Sequence, residues 1–287
     1  MPTAFRSLVW YAFMTEELAL MPDDISPLIR TDIPHSARIW NYWMGGKDHF
    51  DVDRVAGDAG AEVDPDIVTM AVQSRQFLVR SVRHLASEAG VHQFLDIGTG
   101  LPTMQNTHEV AQSVAADSKI VYVDNDPMVL AHARALLTNT TPEGVTTYIN
   151  CDYHEPEQIV AEAKNVLNFN QPIGVMFMGV LGHAHTYDDM RRIVSTVMDA
   201  VPSGSYLTLW DGTTDSQAYV TLCENYAKTG GVPYVPRPRE EIRAVFDGLE
   251  MVSPGFVSIT QWWADEDDQD LSEARPISAY GGVARKP

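Results

Sequence analysis

The sequence predicts a doubly wound α/β fold: a mostly parallel, seven-stranded Rossmann-like sheet with helices on both faces, a C-terminal antiparallel hairpin and an N-terminal helical cap. Three observations carry this. From Val91 onward, apolar strand-like runs alternate with helix-periodic runs, the pattern of a parallel sheet with right-handed crossovers. The run Phe94-Leu95-Asp96-Ile97-Gly98-Thr99-Gly100 takes an apolar strand into an acid and a glycine-rich turn. A second apolar run, Val121-Tyr122-Val123, ends on Asp124, 28 residues beyond Asp96. A nucleoside-binding sheet places its ribose-holding carboxylate at that second strand tip.

In chain order, residues 1–30 read as an N-terminal extension. Its apolar patch at residues 8–14 is too short to span a bilayer and is followed by Glu16 and Glu17. Residues 31–90 read as the helical cap. A first helix over 37–44 carries Ile39, Trp40 and Trp43 and breaks at Gly45-Gly46. A second starts after Asp64-Pro65 and runs through Ile67, Met70, Ala71, Phe77, Leu78, Val82 and Leu85, spacings near 3.6, to Gly90. Residues 91–287 read as the nucleoside-binding domain. Strands are expected at 92–97, 119–123, 146–150, 174–178, 205–210, 255–261 and 277–283, and helices at 104–115, 127–137, 156–166, 187–200, 216–228 and 239–245. Only a loop separates the last two strands, which favours an antiparallel hairpin at the sheet edge.

Bulk properties narrow the partner. With 287 residues and 45% apolar content the chain can bury a full core, as one domain with an extension. Thirty-nine acids against 20 bases give a net charge of −19, and no Lys/Arg stripe is present. A nucleic-acid partner is disfavoured, because such binding rests on neutralising phosphates. No stretch reads as a membrane anchor, so a small neutral or cationic ligand fits better. Cys151 and Cys223 lie far apart and form no CxxC motif, which suits a reduced, cytoplasmic chain.

The glycine turn departs from the dinucleotide fingerprint. There a third glycine follows three residues after the second; here that position is Thr103. Those glycines clear room for a pyrophosphate on a helix N-terminus. S-adenosylmethionine carries no phosphate and needs room for a methionine tail. Asp96 is placed to meet its ammonium group, Asp124 the two ribose hydroxyls, and Asp152, in Asn150-Cys151-Asp152-Tyr153, the adenine amino group. One strand-end acid is ordinary helix-cap material. Three at three successive strand ends form a signal. A nicotinamide-dependent oxidoreductase is the competing enzyme reading, disfavoured by Thr103 and by the closing hairpin.

Three segments, 36–48 (Ser-Ala-Arg-Ile-Trp-Asn-Tyr-Trp-Met-Gly-Gly-Lys-Asp), 94–103 and 122–134, resemble the actinobacterial family of S-adenosyl methyltransferases formerly catalogued as a domain of unknown function. The resemblance runs from about residue 30 to the C-terminus. It implies the class I methyltransferase fold and S-adenosylmethionine as cofactor, and it says little about the acceptor. It also favours reading Gly45-Gly46-Lys47 as a lid, with Tyr42 or Lys47 reaching the methionine carboxylate. The plainer reading is a helix C-cap at Gly45 with Lys47 complementing the helix dipole. The cofactor-contact candidates are then Tyr42, Gly46, Lys47, Asp96, Gly98, Thr99, Gly100, Asp124, Asn125, Asp152 and Tyr153.

Methyl transfer is an in-line displacement at a sulfonium carbon, so alignment and water exclusion matter most, and a base is required only if the acceptor must lose a proton early. Acceptor-side groups are expected past the fourth strand, in Gly179-Val180-Leu181-Gly182-His183-Ala184-His185. His183 is the first candidate for contacting the acceptor or taking its proton, with helix capping as the bland alternative. Asp211, ending strand five, is the second. No cysteine or carboxylate completes a metal set around His183 and His185, so no metal is expected. Trp262-Trp263 could line an acceptor pocket or pack in the core, and the acid-rich 265–270 stretch reads as a solvated loop. The expected acceptor is a small molecule approached between the cap and the ends of strands four and five. The alternative in another class is a regulatory protein that binds S-adenosylmethionine or its demethylated product without catalysis.

Overall fold

The computed structural model describes residues 29–102, 105–136, 139–262 and 275–287. Three helices come first: α1 (Ser36–Trp43), α2 (Asp51–Val63) and α3 (Asp66–Ser87). The alternating part follows: β1 (Gln93–Ile97), α4 (Thr107–Val114), β2 (Lys119–Asp124), α5 (Pro127–Leu136), β3 (Val145–Asn150), α6 (Pro156–Ala163), β4 (Gly174–Met178), a single 3-10 turn (Leu181–His183), α7 (Tyr187–Ala200), β5 (Tyr206–Gly212), α8 (Gln217–Ala227) and α9 (Arg239–Ala244). Three strands end the chain: β6 (Glu250–Met251), β7 (Val257–Ser258) and β8 (Ala279–Arg285).

The sheet order is β3-β2-β1-β4-β5-β8-β6, with β7 also paired to β8. The first five strands are parallel, and β8 runs antiparallel between β5 and β6. The doubly wound reading holds, with the antiparallel closure at the expected end. The sixth strand differs. The expected run over 255–261 contributes only Val257–Ser258, and the outer edge is Glu250–Met251, giving eight strands among the described residues. Pro254-Gly255 interrupts this stretch, and proline cannot donate to a ladder.

Strand periodicity of two decides which core each residue enters. Leu95, Ile97, Val121, Val123, Val175 and Phe177 face one side, under α6, α7 and α9. Phe94, Ile120, Tyr122, Met176 and Trp210 face the other, under α3, α4 and α8. Each such large side chain contributes roughly 1.5–3 kcal/mol by leaving water. Helix α3 belongs to this second core through Ile67, Met70, Phe77, Val82 and Leu85. Residue 90 is therefore a boundary in chain order and not between two cores.

Helix α2 was not legible in the sequence. Its run Asp-Val-Asp-Arg-Val-Ala-Gly-Asp-Ala-Gly-Ala-Glu-Val has no apolar side chain larger than valine and two interior glycines, each costing about 1 kcal/mol against alanine. Packing explains Gly57: a Cβ there would stand 2.8 Å from the Tyr42 ring of α1. A buried ion pair fixes the two helices together. The Arg38 guanidinium meets Asp53 at 2.8 Å, both almost fully buried. Arg38 also donates to the carbonyls of Ile33 and Arg30, and Asp53 accepts from the amides of His35 and Phe50.

Candidate functional site

The carboxyl ends of β1, β2 and β3 converge on a cleft of about 230 Å³. Gly98 (φ +73) and Gly100 (φ +66) turn the chain out of β1 in a conformation that disfavours other residues. A Cβ on Gly98 would strike Val180 at 2.4 Å, whereas one on Gly100 would project into space, with Ala37 its nearest neighbour at 3.9 Å. The Gly100 amide donates to Asp124 Oδ2 at 2.8 Å, tying the turn to the β2 tip. Helix α4 starts only at Thr107, capped by Asn106 and Glu109, later than the expected 104. Thr103 and Met104 lie outside the described residues.

Eight expected cofactor contacts line this cleft: Asp96, Gly98, Thr99, Gly100, Asp124, Asn125, Asp152 and Tyr153. Burial pushes the Asp96 carboxyl up to about 6, against the opposing pull of the Thr107 hydroxyl, which donates at 2.6 Å, and of the Arg75 charge. Burial also raises Asp124, opposed by the amides of Asp126 and Gly100. Asp152 accepts from Asn125 Nδ2 at 3.0 Å and from the His154 amide at 2.9 Å. Burial raises the Tyr153 phenol well above its ordinary value.

Three expected contacts do not reach it. The Tyr42 hydroxyl turns to Asp58 at 2.5 Å, because its ring is held on α2. Gly46 wraps over Asn41, where a Cβ would lie 2.4 Å from the amide oxygen. Lys47 is exposed, and it lines neither this cleft nor the cavity described below. The segment is a helix end packed on Asn41, whose Oδ1 accepts the Asp48 amide at 2.9 Å.

The cleft also has a lining residue that the sequence did not point to. Arg75 of α3 lines the cleft together with Ser74 and Leu78. Among the described residues its guanidinium has no hydrogen bond and no ion pair within 4 Å, although Asp96, Tyr122 and Glu109 lie close enough to favour its charge. Burial works the other way and lowers its pKa. A signal was present. Ser74 and Arg75 fall on the buried stripe of α3 between Ala71 and Leu78, where apolar residues were due.

Past β4, the 3-10 turn brings His183 to the far wall. Its Nδ1 lies 2.8 Å from the Pro233 carbonyl, which can only accept, so Nδ1 carries the proton and Nε2 presents a lone pair. Nε2 has no hydrogen bond among the described residues. Burial lowers the His183 pKa, against the Pro233 and Val232 carbonyls, so the ring is neutral at pH 7. His183 also lines a second cavity of about 310 Å³ between α1, α2 and α8. The two spaces share Ser36, Trp40 and His183.

Asp211 opens onto neither space. It is 2% exposed, accepting from the Tyr234 hydroxyl and from the Gly212 amide, and burial pushes its carboxyl up to about 7. Contact with an acceptor is thus closed to it. It holds the hydroxyl of Tyr234, whose ring stands edge-on to His183 with centroids 5.1 Å apart. Trp262 is likewise a core residue, edge-on to Phe77 at 5.3 Å. Trp263 and residues 265–270 lie outside the described residues. Among the described residues no group of three metal-ligating side chains is present, and no helix is long and apolar enough to cross a membrane.

The profile of the family described as S-adenosyl methyltransferase matches residues 23–287. Two solved structures are similar over nearly their whole lengths. One, a DUF574 family protein from Streptomyces avermitilis, is 40% identical, with 90% of this chain and 100% of that chain covered and a TM-score of 0.84. The other, provisionally assigned as a methyltransferase, comes from Thermobifida fusca; it is 36% identical, with 91% and 97% covered and a TM-score of 0.82. Among curated proteins, none matches. A glycine turn with three acids at successive strand tips, a strand order closed by an antiparallel β8, and a family match across nine-tenths of the sequence agree: the chain belongs to the S-adenosyl methyltransferase family.

Proposed function

We propose that this chain transfers a methyl group to a small-molecule acceptor, holding S-adenosylmethionine in the strand-tip cleft and the acceptor beyond His183. The observation that carries the reading is Arg75: a cation with no hydrogen bond or close ion pair among the described residues, facing the same space as the desolvated carboxyl of Asp96. A methionine end offers one carboxylate and one ammonium, and this pair offers the complement of each. Leaving such a guanidinium uncompensated is costly, so a bound carboxylate relieves it. In this reading Asp124 takes the ribose hydroxyls, and Asp152 with Tyr153 the adenine.

When bound, S-adenosylmethionine supplies an electrophilic methyl on a sulfonium, which departs as a neutral thioether. The protein's own share is orientation, exclusion of water and, at His183 Nε2, a lone pair that can take a proton from the acceptor. That free lone pair favours an enzyme over a sensor. The two free, buried cysteines suit a reducing compartment, and we place the chain in the cytoplasm.

Thermal-shift titration with S-adenosylhomocysteine, S-adenosylmethionine and NAD tests the cofactor pose. The first two raise the melting temperature with concentration and NAD does not. Stabilisation by NAD alone would overturn the reading. Separately, His183→Ala retains S-adenosylhomocysteine affinity within twofold while methyl transfer falls roughly 10²–10⁴-fold.

A further inference from the structure

We propose that the cavity between α1, α2 and α8 is the acceptor site and that its acceptor is a neutral aromatic alcohol, its hydroxyl directed at His183 Nε2. The proposal rests on the strand-tip cleft being the methyl-donor site, because Ser36, Trp40 and His183 border both spaces. At about 310 Å³ the cavity lies at the small end of ligand sites, the size of one or two fused rings with substituents.

Its chemistry selects the class. Trp40 and Trp43 cross edge-on at 5.8 Å, and Tyr219, Tyr234, Ile67 and Leu222 complete an aromatic and aliphatic wall. Such walls favour flat rings, because offset and edge-on contacts add to area burial. Among the described residues the lining holds no Lys or Arg for an anion, and its one carboxylate, Glu62, is solvent-exposed. A charged ligand would lose its hydration and gain no partner inside. Of the polar side chains on its lining, Ser36 and His183 are the two that also border the donor cleft, and His183, with Nδ1 committed to the Pro233 carbonyl, can only accept at Nε2. A ligand that is neutral, flat and a donor at one end is an aromatic alcohol.

Calorimetry on the full chain tests this with two probes, 2-naphthol and 2-methoxynaphthalene, added to protein already saturated with S-adenosylhomocysteine. The expected result is 2-naphthol binding at least fivefold tighter than its methyl ether, a preference that disappears in His183→Ala. Ala56 lines this cavity and not the cleft. Ala56→Trp fills the space, so it weakens 2-naphthol at least tenfold while S-adenosylhomocysteine affinity stays within twofold, which also shows that the variant is folded. Binding of S-adenosylhomocysteine without 2-naphthol, or 2-naphthol binding unchanged by Ala56→Trp, overturns the acceptor assignment and leaves the donor reading intact. Equal affinity for the two probes overturns the hydroxyl orientation. Failure of S-adenosylhomocysteine to bind overturns the donor reading, and the acceptor assignment with it.

Discussion

The strand-tip cleft and the helical cavity meet at three residues and are built on opposite principles. The cleft is the more polar of the two, its charged groups fixed by backbone: Asp96, Asp124 and Asp152 sit at or near the ends of β1, β2 and β3, and the Gly100 amide clamps Asp124 in place. The cavity is apolar, its shape fixed by side chains from helices far apart in sequence, such as Trp40, Ala56 and Leu222. Affinity in the first comes from a few directed, charged bonds. In the second it comes from area and shape. Single substitutions should therefore act sharply in one and gradually in the other, and variants of each should leave the other nearly untouched.

The largest effect breaks that independence. Helix α1 carries Ser36 and Trp40, the shared wall, and its place depends on the Arg38–Asp53 pair. Arg38→Met leaves Asp53 buried without its cation, which costs about 3–5 kcal/mol. Chemical denaturation should show that loss, and any folded fraction should bind S-adenosylhomocysteine and 2-naphthol more weakly together. Loss of only one would mean that α1 serves a single space.

The contrast also explains what could be read in advance. Strand tips announce themselves locally: an apolar run, an acid, a glycine. The strand-tip positions of Asp96, Asp124 and Asp152 were thus legible from residues within a few positions of each, as was the sheet. The Tyr42 to Lys47 stretch has a motif that looks special without showing its direction, and Tyr42, Gly46 and Lys47 do not line the cleft. Gly46 and Gly57 serve close packing on Asn41 and Tyr42, which only the third dimension reveals. Arg75 hid inside a helix whose apolar spacing was read for its hydrophobic members alone. The helical cavity had no linear signature, since its walls come from α1, α2, α8 and the His183 turn.

Next in size is Asp124→Ala. Removing a carboxylate that would accept from two hydroxyls, at about 1.5–3 kcal/mol for a charged hydrogen bond, should weaken S-adenosylhomocysteine by roughly 100-fold or more in calorimetry. 2-Naphthol affinity should change less than threefold. A parallel loss of both would show that the glycine turn, freed from Asp124, also shapes the acceptor side.

Arg75→Met sharpens the comparison further, because function and stability should move apart. Methionine keeps the volume and removes the unpartnered charge. S-adenosylhomocysteine affinity should fall about 10–100-fold, the worth of one charge-assisted contact, while the unliganded melting temperature stays level or rises. A fall in melting temperature with affinity unchanged would assign Arg75 to holding Asp96 rather than ligand.

The smallest effect is a pH dependence that runs against habit. Asp211 at about 7 and Asp96 at about 6 both lie above their ordinary carboxyl value, so over this range the folded chain binds more protons than the unfolded one. Stability of the unliganded protein should then rise as pH falls. Buried histidines oppose this below about 6.5, since His84, His108 and His183 are held neutral by burial and favour the unfolded state when protonated. The clean window is therefore pH 8 to 6.5, where Asp211 dominates and the gain is about 1 kcal/mol, or roughly 2–4 °C in melting temperature. Asp211→Asn keeps an oxygen for the Tyr234 hydroxyl and the Gly212 amide, and it should flatten the slope without unfolding the chain. A wild-type slope of the opposite sign, or one that survives in Asp211→Asn, would mean that Tyr234, and through it the ring facing His183, is anchored by a carboxylate that stays ionised in the folded protein.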